Sequence, residues 1–124
     1  MIFKVGTTDF TNNVVIGSYE VNKTPVYDEW VDIGGKIHRI KIRDKIQGSF
    51  EVFFKTMTAY STFKTAIDNN TSSTNLATTV SVKVNNTNTD ATGISAYLDF
   101  LPVRDVNGTR NDFLKVIQIN LEER

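Results

Sequence analysis

The chain has 124 residues, 14 basic and 14 acidic side chains, 40% hydrophobic and 23% charged content, values of one soluble globular domain with no net pull toward nucleic acid or an anionic membrane. It contains no cysteine, which excludes disulfides and thiolate metal sites. No apolar run approaches the roughly 20 residues of a bilayer-crossing helix, and MIFKVGTTDF lacks the apolar stretch of a signal peptide, so a start in the cytoplasm is expected. Asn-X-Ser/Thr triplets begin at Asn22, Asn69, Asn70, Asn85 and Asn107. Without a secretion signal they reflect a Thr- and Asn-rich composition, which favours strands and turns.

In chain order, residues 1–10 carry a short apolar start at Ile2, Phe3 and Val5, then a break at Gly6. They read as an edge strand or an arm reaching a neighbour. Asn12-Asn13 marks a turn, and Val14 to Asn22 reads as a strand that Pro25 then interrupts, because proline removes a ladder donor. Past the hairpin described next, Phe50, Val52 and Phe54 alternate onto one face, with a bulge or bend expected at Gln47-Gly48. Whether Asp44-Lys45 turns the chain or sits inside one long strand stays open.

Thr58 to Asn69 has helical spacing at Tyr60, Phe63 and Ile67, with Thr58 as its cap and the Phe50 face as its cover. A strand follows at Ala77 to Val84, then a loop over 85–93, and a second long hairpin from Ile94 to Val103 and Phe113 to Leu121 around a polar connection over 104–112. The apolar parity switch from Leu114 and Val116 to Ile117, Ile119 and Leu121 points to a bulge there. The total is about seven strands and one short helix in a single domain, an α+β fold dominated by antiparallel sheet.

The stretch from Val26 to Phe54 organises the rest. Gly34-Gly35 is a hairpin signal, since a two-residue turn needs positive φ at both central positions. Pairing outward sets Val31 opposite His38, Trp30 opposite Arg39, Asp28 opposite Lys41 and Tyr27 opposite Ile42. One face then holds Tyr27, Val31, Ile33, His38, Ile40 and Ile42 as a buried set. The other holds Asp28, Trp30, Asp32, Ile37, Arg39, Lys41 and Arg43, with acid against base and indole against guanidinium.

The search for chemistry returns little. His38 is the only histidine, so neither a His-based metal site nor a base with its orienting partners assembles, and a structural or interface role is expected. The basic set Lys36, Arg39, Lys41, Arg43 and Lys45 reads as a solvated strand face balanced by Asp28 and Asp32, not as a nucleic-acid footprint. Asn86 to Asp90 and Asp105 to Thr109 alternate oxygen ligands but lack the Gly and Glu of an EF-hand loop, and turn chemistry accounts for them. Neither an enzyme nor a cofactor is expected.

The segment DEWVDIGGKIHRIKIRDKIQGSFEVFF with the following TAYSTFKTAI resembles small structural proteins of phage and prophage tail or head–tail modules, over roughly a third of the chain. The shared pattern is a Trp-bearing hairpin, a Gly turn, a basic HRIKIR strand, a Phe-rich strand and a short helix. The resemblance implies a non-enzymatic virion component that self-assembles, in a ring or otherwise, and docks to other phage structural proteins. It would reside in the bacterial host cytoplasm during assembly and then in the virion. Trp30, Arg39, Asp28 and Lys41, with residues 1–10, are the expected interface. The competing class is a stand-alone module binding carbohydrate or protein through Trp30, Asp28 and Arg39.

Overall fold

The computed structural model describes residues 2–107 and 113–124, the side chain of Asn107 excepted. The strands are β1 (Phe3–Val5), β2 (Thr8–Asp9), β3 (Glu20–Val31), β4 (Ile37–Phe54), β5 (Thr78–Val84), β6 (Thr89–Asn107) and β7 (Phe113–Glu123). One helix, α1 (Met57–Asn69), lies between β4 and β5. All seven strands join one antiparallel sheet in the order β2-β1-β5-β6-β7-β4-β3, so the expected class is the observed one.

The sheet curls until its β3 edge returns to the end of β5. Asn85 N–H donates to Val21 O at 2.8 Å, and the Asn86 side chain bonds Lys23 N–H and O at 2.9 and 2.7 Å. The core sits inside this curl: Phe50, Val52 and Phe54 of β4, Ile117, Ile119 and Leu121 of β7, Val80, Val82 and Val84 of β5, and Phe3 and Val5 of β1. Alternation places each set on the inner face. Helix α1 closes one end with Phe63, Ala66 and Ile67, and Phe63 meets Phe10, Phe54 and Phe100 with ring centroids 5.2, 5.0 and 6.1 Å apart. Its cap is Thr56, whose Oγ1 accepts Ala59 N–H at 3.1 Å, two residues earlier than the expected Thr58.

Several expectations give way. Of the two alternatives for the N-terminal residues the edge strand holds and the outreaching arm does not: Phe3 and Val5 are wholly buried, and β1 pairs with β5 and with β2 at the sheet edge. Met1 lies outside the described residues. Pro25 does not interrupt a strand but stands inside β3, opposite Asp44; β3 is an edge, where a missing N–H breaks no second ladder. Asp44-Lys45 belongs to one 18-residue strand.

Gly48 is no bulge. It pairs in register with Val21 and Leu121, and a Cβ there would lie 2.0 Å from Glu20 O, so glycine lets β3 approach β4 closely. The bulge expected in β7 falls on its partner: the register shifts at Val103 of β6, and β7 stays regular against β4. Leu114 and Val116 therefore sit on the outer face. β6 starts earlier than expected, at Thr89, after a turn in which Asn88 has φ 51°. Asp105 to Asn107, expected in the polar connection, belong to β6; residues 108–112, and with them the rest of the Asn107 triplet and of the Asp105 to Thr109 loop, lie outside the described ones.

Candidate functional site: the β3–β4 arm

β7 pairs with β4 only from Gln47 to Phe54. Beyond Ile46 the β3–β4 ribbon continues with no third strand beside it among the described residues, tied to the body at its base by Lys45 with Glu122 and by Arg43 donating to Arg124 O, and no residue from Pro25 to Lys45 is buried. At about 3.4 Å per residue, the seven residues of β3 from Pro25 reach roughly 24 Å past the body.

The tip explains the register. Gly35 N–H donates to Asp32 O at 3.0 Å, Asp32 N–H donates to Lys36 O at 2.9 Å, and Asp32 Oδ1 accepts Lys36 N–H at 2.9 Å. Of the two glycines only Gly35 has positive φ, 83°. This is the three-residue loop built on a type I turn with a left-handed third residue, not the two-residue turn. The signal was Asp32, which favours the first position of a type I turn and ties its own loop.

The pairing therefore slips by one residue. Val31 faces Ile37, Trp30 faces His38, Glu29 faces Arg39, Asp28 faces Ile40 and Tyr27 faces Lys41, before a bulge at Ile42. A one-residue slip exchanges the faces of one strand relative to the other. The expected Trp30–Arg39 and Asp28–Lys41 pairs are replaced. Trp30 stacks on His38, with centroids 5.4 Å apart and planes 15° apart, and His38 Nε2 lies 2.8 Å from Asp32 Oδ2. Arg39 pairs with Glu29 and holds its guanidinium 4.5 Å over the Tyr27 ring. Lys41 pairs with Asp44 at 2.8 Å.

Of the four expected interface residues, Asp28 and Trp30 share one face, and Arg39 and Lys41 the other. The buried apolar face does not exist within the chain: Tyr27 is 41% exposed, Ile40 57%, Ile42 63%, Val31 64% and Ile37 73%. Ile33 is fully exposed at the tip. Pattern reasoning missed that both faces carry apolar side chains; the hint was Ile37, apolar on a face read as polar.

Electrostatics follow the local pairs. The His38 side chain, then Lys36 N–H, hold the Asp32 carboxyl below the usual carboxylate range. Asp44 accepts a hydrogen bond from Lys41 and holds that ammonium above its usual value. Among the described residues no three His, Asp or Glu side chains gather in metal-ligating geometry, and His38 has Asp32 as its hydrogen-bond partner. The clefts on the body among the described residues include two that border the sheet. An open groove of ≈ 380 Å³ at the base of the arm is lined by Glu20, Gln47, Asp99 and Glu122. A smaller one of ≈ 230 Å³ sits between α1 and β6–β7, where Lys115 Nζ lies 4.2 Å over the Tyr60 ring. No helix among the described residues is long and apolar enough to cross a membrane.

Comparisons with protein-family models, with curated proteins and with solved structures find no match to this chain.

Proposed function

We propose that this chain is a non-enzymatic structural subunit, of the kind found in phage or prophage tail and head–tail modules, that self-assembles or docks to neighbouring subunits through the β3–β4 arm. The observation that carries the reading is the arm itself, bare on both faces, with Trp30, Val31, Ile33, Ile37, Ile40 and Ile42 exposed. A lone two-stranded ribbon is marginally stable in water. Fully withdrawing one large apolar side chain from water contributes about 1.5–3 kcal/mol, so a neighbouring subunit that covers even part of this set gives both affinity and order to the ribbon. The partners are then further copies and companion virion proteins, met in the host cytoplasm before incorporation into a virion.

A stand-alone carbohydrate or protein module built on Trp30, Asp28 and Arg39 has less support. Arg39 lies on the opposite face from the other two, and His38 covers one face of the indole.

The test is light scattering and negative-stain microscopy of the full chain over a wide concentration range. A variant with residues 27–41 replaced by a short turn is measured beside it. The expected result is a concentration-dependent oligomer for the full arm and a folded monomer for the shortened one. A full chain that stays monomeric throughout overturns the reading.

A further inference from the structure

The arm has two open edges, and they differ in charge. From Pro25 to Val31, β3 carries Asp28 and Glu29, and Asp32 follows at the turn, with no basic residue over this length. From Ile37 to Arg43, β4 carries Arg39, Lys41 and Arg43 with no acidic one, although within the copy Arg39 already meets Glu29, Lys41 meets Asp44 and Arg43 donates to Arg124 O. Among the described residues no strand pairs with the outer side of β3 over this length, nor with the outer side of β4 before Gln47.

The bond from Asp32 N–H to Lys36 O fixes which backbone groups face inward. In an antiparallel ladder hydrogen-bonded and non-bonded pairs alternate. Residues 28, 30 and 32 of β3 therefore spend their backbone groups on β4, whereas Tyr27, Glu29 and Val31 offer theirs outward. On β4 the outward set is Ile37, Arg39 and Lys41. Donors and acceptors left unpaired on an edge template another strand.

Building on the assembly reading above, we infer that copies of this chain join head to tail through the arm, the acidic outer edge of β3 in one copy pairing antiparallel with the basic outer edge of β4 in the next. The register that repeats the hairpin's own sets Glu29 opposite Arg39 and Val31 opposite Ile37 of the adjacent copy, each pair with backbone groups free to bond. Opposite charges directly across a ladder stabilise it and like charges oppose it. A two-fold contact of β3 with β3 sets Glu29 opposite Glu29 or, in the adjacent register, Asp28 opposite Asp32, and β4 with β4 sets Arg39 opposite Arg39 or opposite Lys41. Charge therefore rejects both symmetric dimers and selects the heterologous contact, which closes into rings when the rotation permits. Pro25 limits the pairing to the part of β3 beyond it, because it offers no N–H.

The test mixes two single-cysteine chains, Glu29→Cys and Arg39→Cys, in a chain that has no cysteine of its own. Directly opposed residues lie within the roughly 4.4–6.8 Å Cα separation that a disulfide spans. After mild oxidation at a concentration where the oligomer is seen, a linked dimer is expected in the mixture and none from either variant alone. Val31→Cys with Ile37→Cys repeats the measurement with every charge in place. Linked dimers from Glu29→Cys alone, reporting β3 against β3, overturn the edge assignment. So does an oligomer left unlinked in both mixtures, an outcome that leaves assembly itself standing. A chain that never assembles sinks both.

Discussion

Trp30 and His38 stack across the hairpin with ring centroids 5.4 Å apart, and Asp32 holds the imidazole from the side at 2.8 Å. The three side chains clamp the tip of a ribbon that has no core beneath it. His38→Ala removes both contacts and should weaken the arm by about 0.5–1 kcal/mol, yet move the unfolding midpoint of the body by under about 0.5 kcal/mol. Trp30 is the single tryptophan, so its fluorescence reports the arm alone. Faster amide exchange confined to residues 27–41, with unchanged far-ultraviolet dichroism, is the expected signature.

The same clamp should respond to acid. The folded-state carboxyl of Asp32 is depressed, chiefly by the His38 hydrogen bond and then by Lys36 N–H. Its stabilisation is therefore complete above the unfolded value of about 3.9 and is lost as pH falls through the lower folded value. Trp30 fluorescence should change in that acid range before the body unfolds. Asp32→Asn should remove the change while leaving the far-ultraviolet signal of the sheet in place.

Phe63 is the hub of the helix–sheet contact, packed against Phe10, Phe54 and Phe100. Truncating a buried phenylalanine costs about 3–5 kcal/mol when the walls cannot collapse. Phe63→Ala should lie in that range in urea unfolding, against less than about 0.5 kcal/mol for exposed Lys64→Ala. A small loss at Phe63 would mean that α1 does not cover the core.

Gly48→Ala tests the closest approach in the sheet. The added methyl would lie 2.0 Å from Glu20 O and 2.6 Å from Val21 Cα, both backbone atoms that cannot rotate away. Overpacking of this kind costs about 1–3 kcal/mol or more. Gly34→Ala, with only the Asp32 carboxylate nearby at 3.4 Å, should cost far less. Equal losses at the two sites, measured by urea unfolding, would contradict the close β3–β4 approach.

The body was legible in the sequence because its signals were local and redundant. Phe50, Val52 and Phe54 alternate, and Phe63 and Ile67 recur at helical spacing, so each element reports its own buried face. The arm was less legible. Its hairpin was evident from Gly34-Gly35, but its register turned on whether one or both glycines take positive φ, and Asp32 decided that through its own hydrogen bonds. A single residue then changed every partner of Trp30, Arg39, Asp28 and Lys41. The expectation of a buried apolar face failed for another reason. Apolar alternation in a strand is read as a buried face, yet here it sits on a ribbon beyond the sheet body, where the described residues supply nothing to cover it.

Tyr19 links the β3 edge to the β1–β5 side of the sheet, and it should set the alkaline limit of the body. Its hydroxyl donates to Lys83 O, and its ring lies 5.2 Å from Phe50. Burial pushes its pKa well above the ordinary tyrosine value, only partly offset by the bond to Lys83 O, and the charge of Asp90 pushes it further up. A raised folded-state value means stability intact below the unfolded value of about 10 and lost as pH rises past it, since the unfolded chain releases a proton that the folded chain keeps. Tyr19→Phe should cost about 0.5–1.5 kcal/mol at pH 7 through the lost hydrogen bond. That deficit should shrink as pH climbs above 10, because the variant has no proton for its unfolded state to release. Urea unfolding of both proteins at neutral and alkaline pH decides it: parallel stability losses would place the alkaline sensitivity elsewhere in the chain.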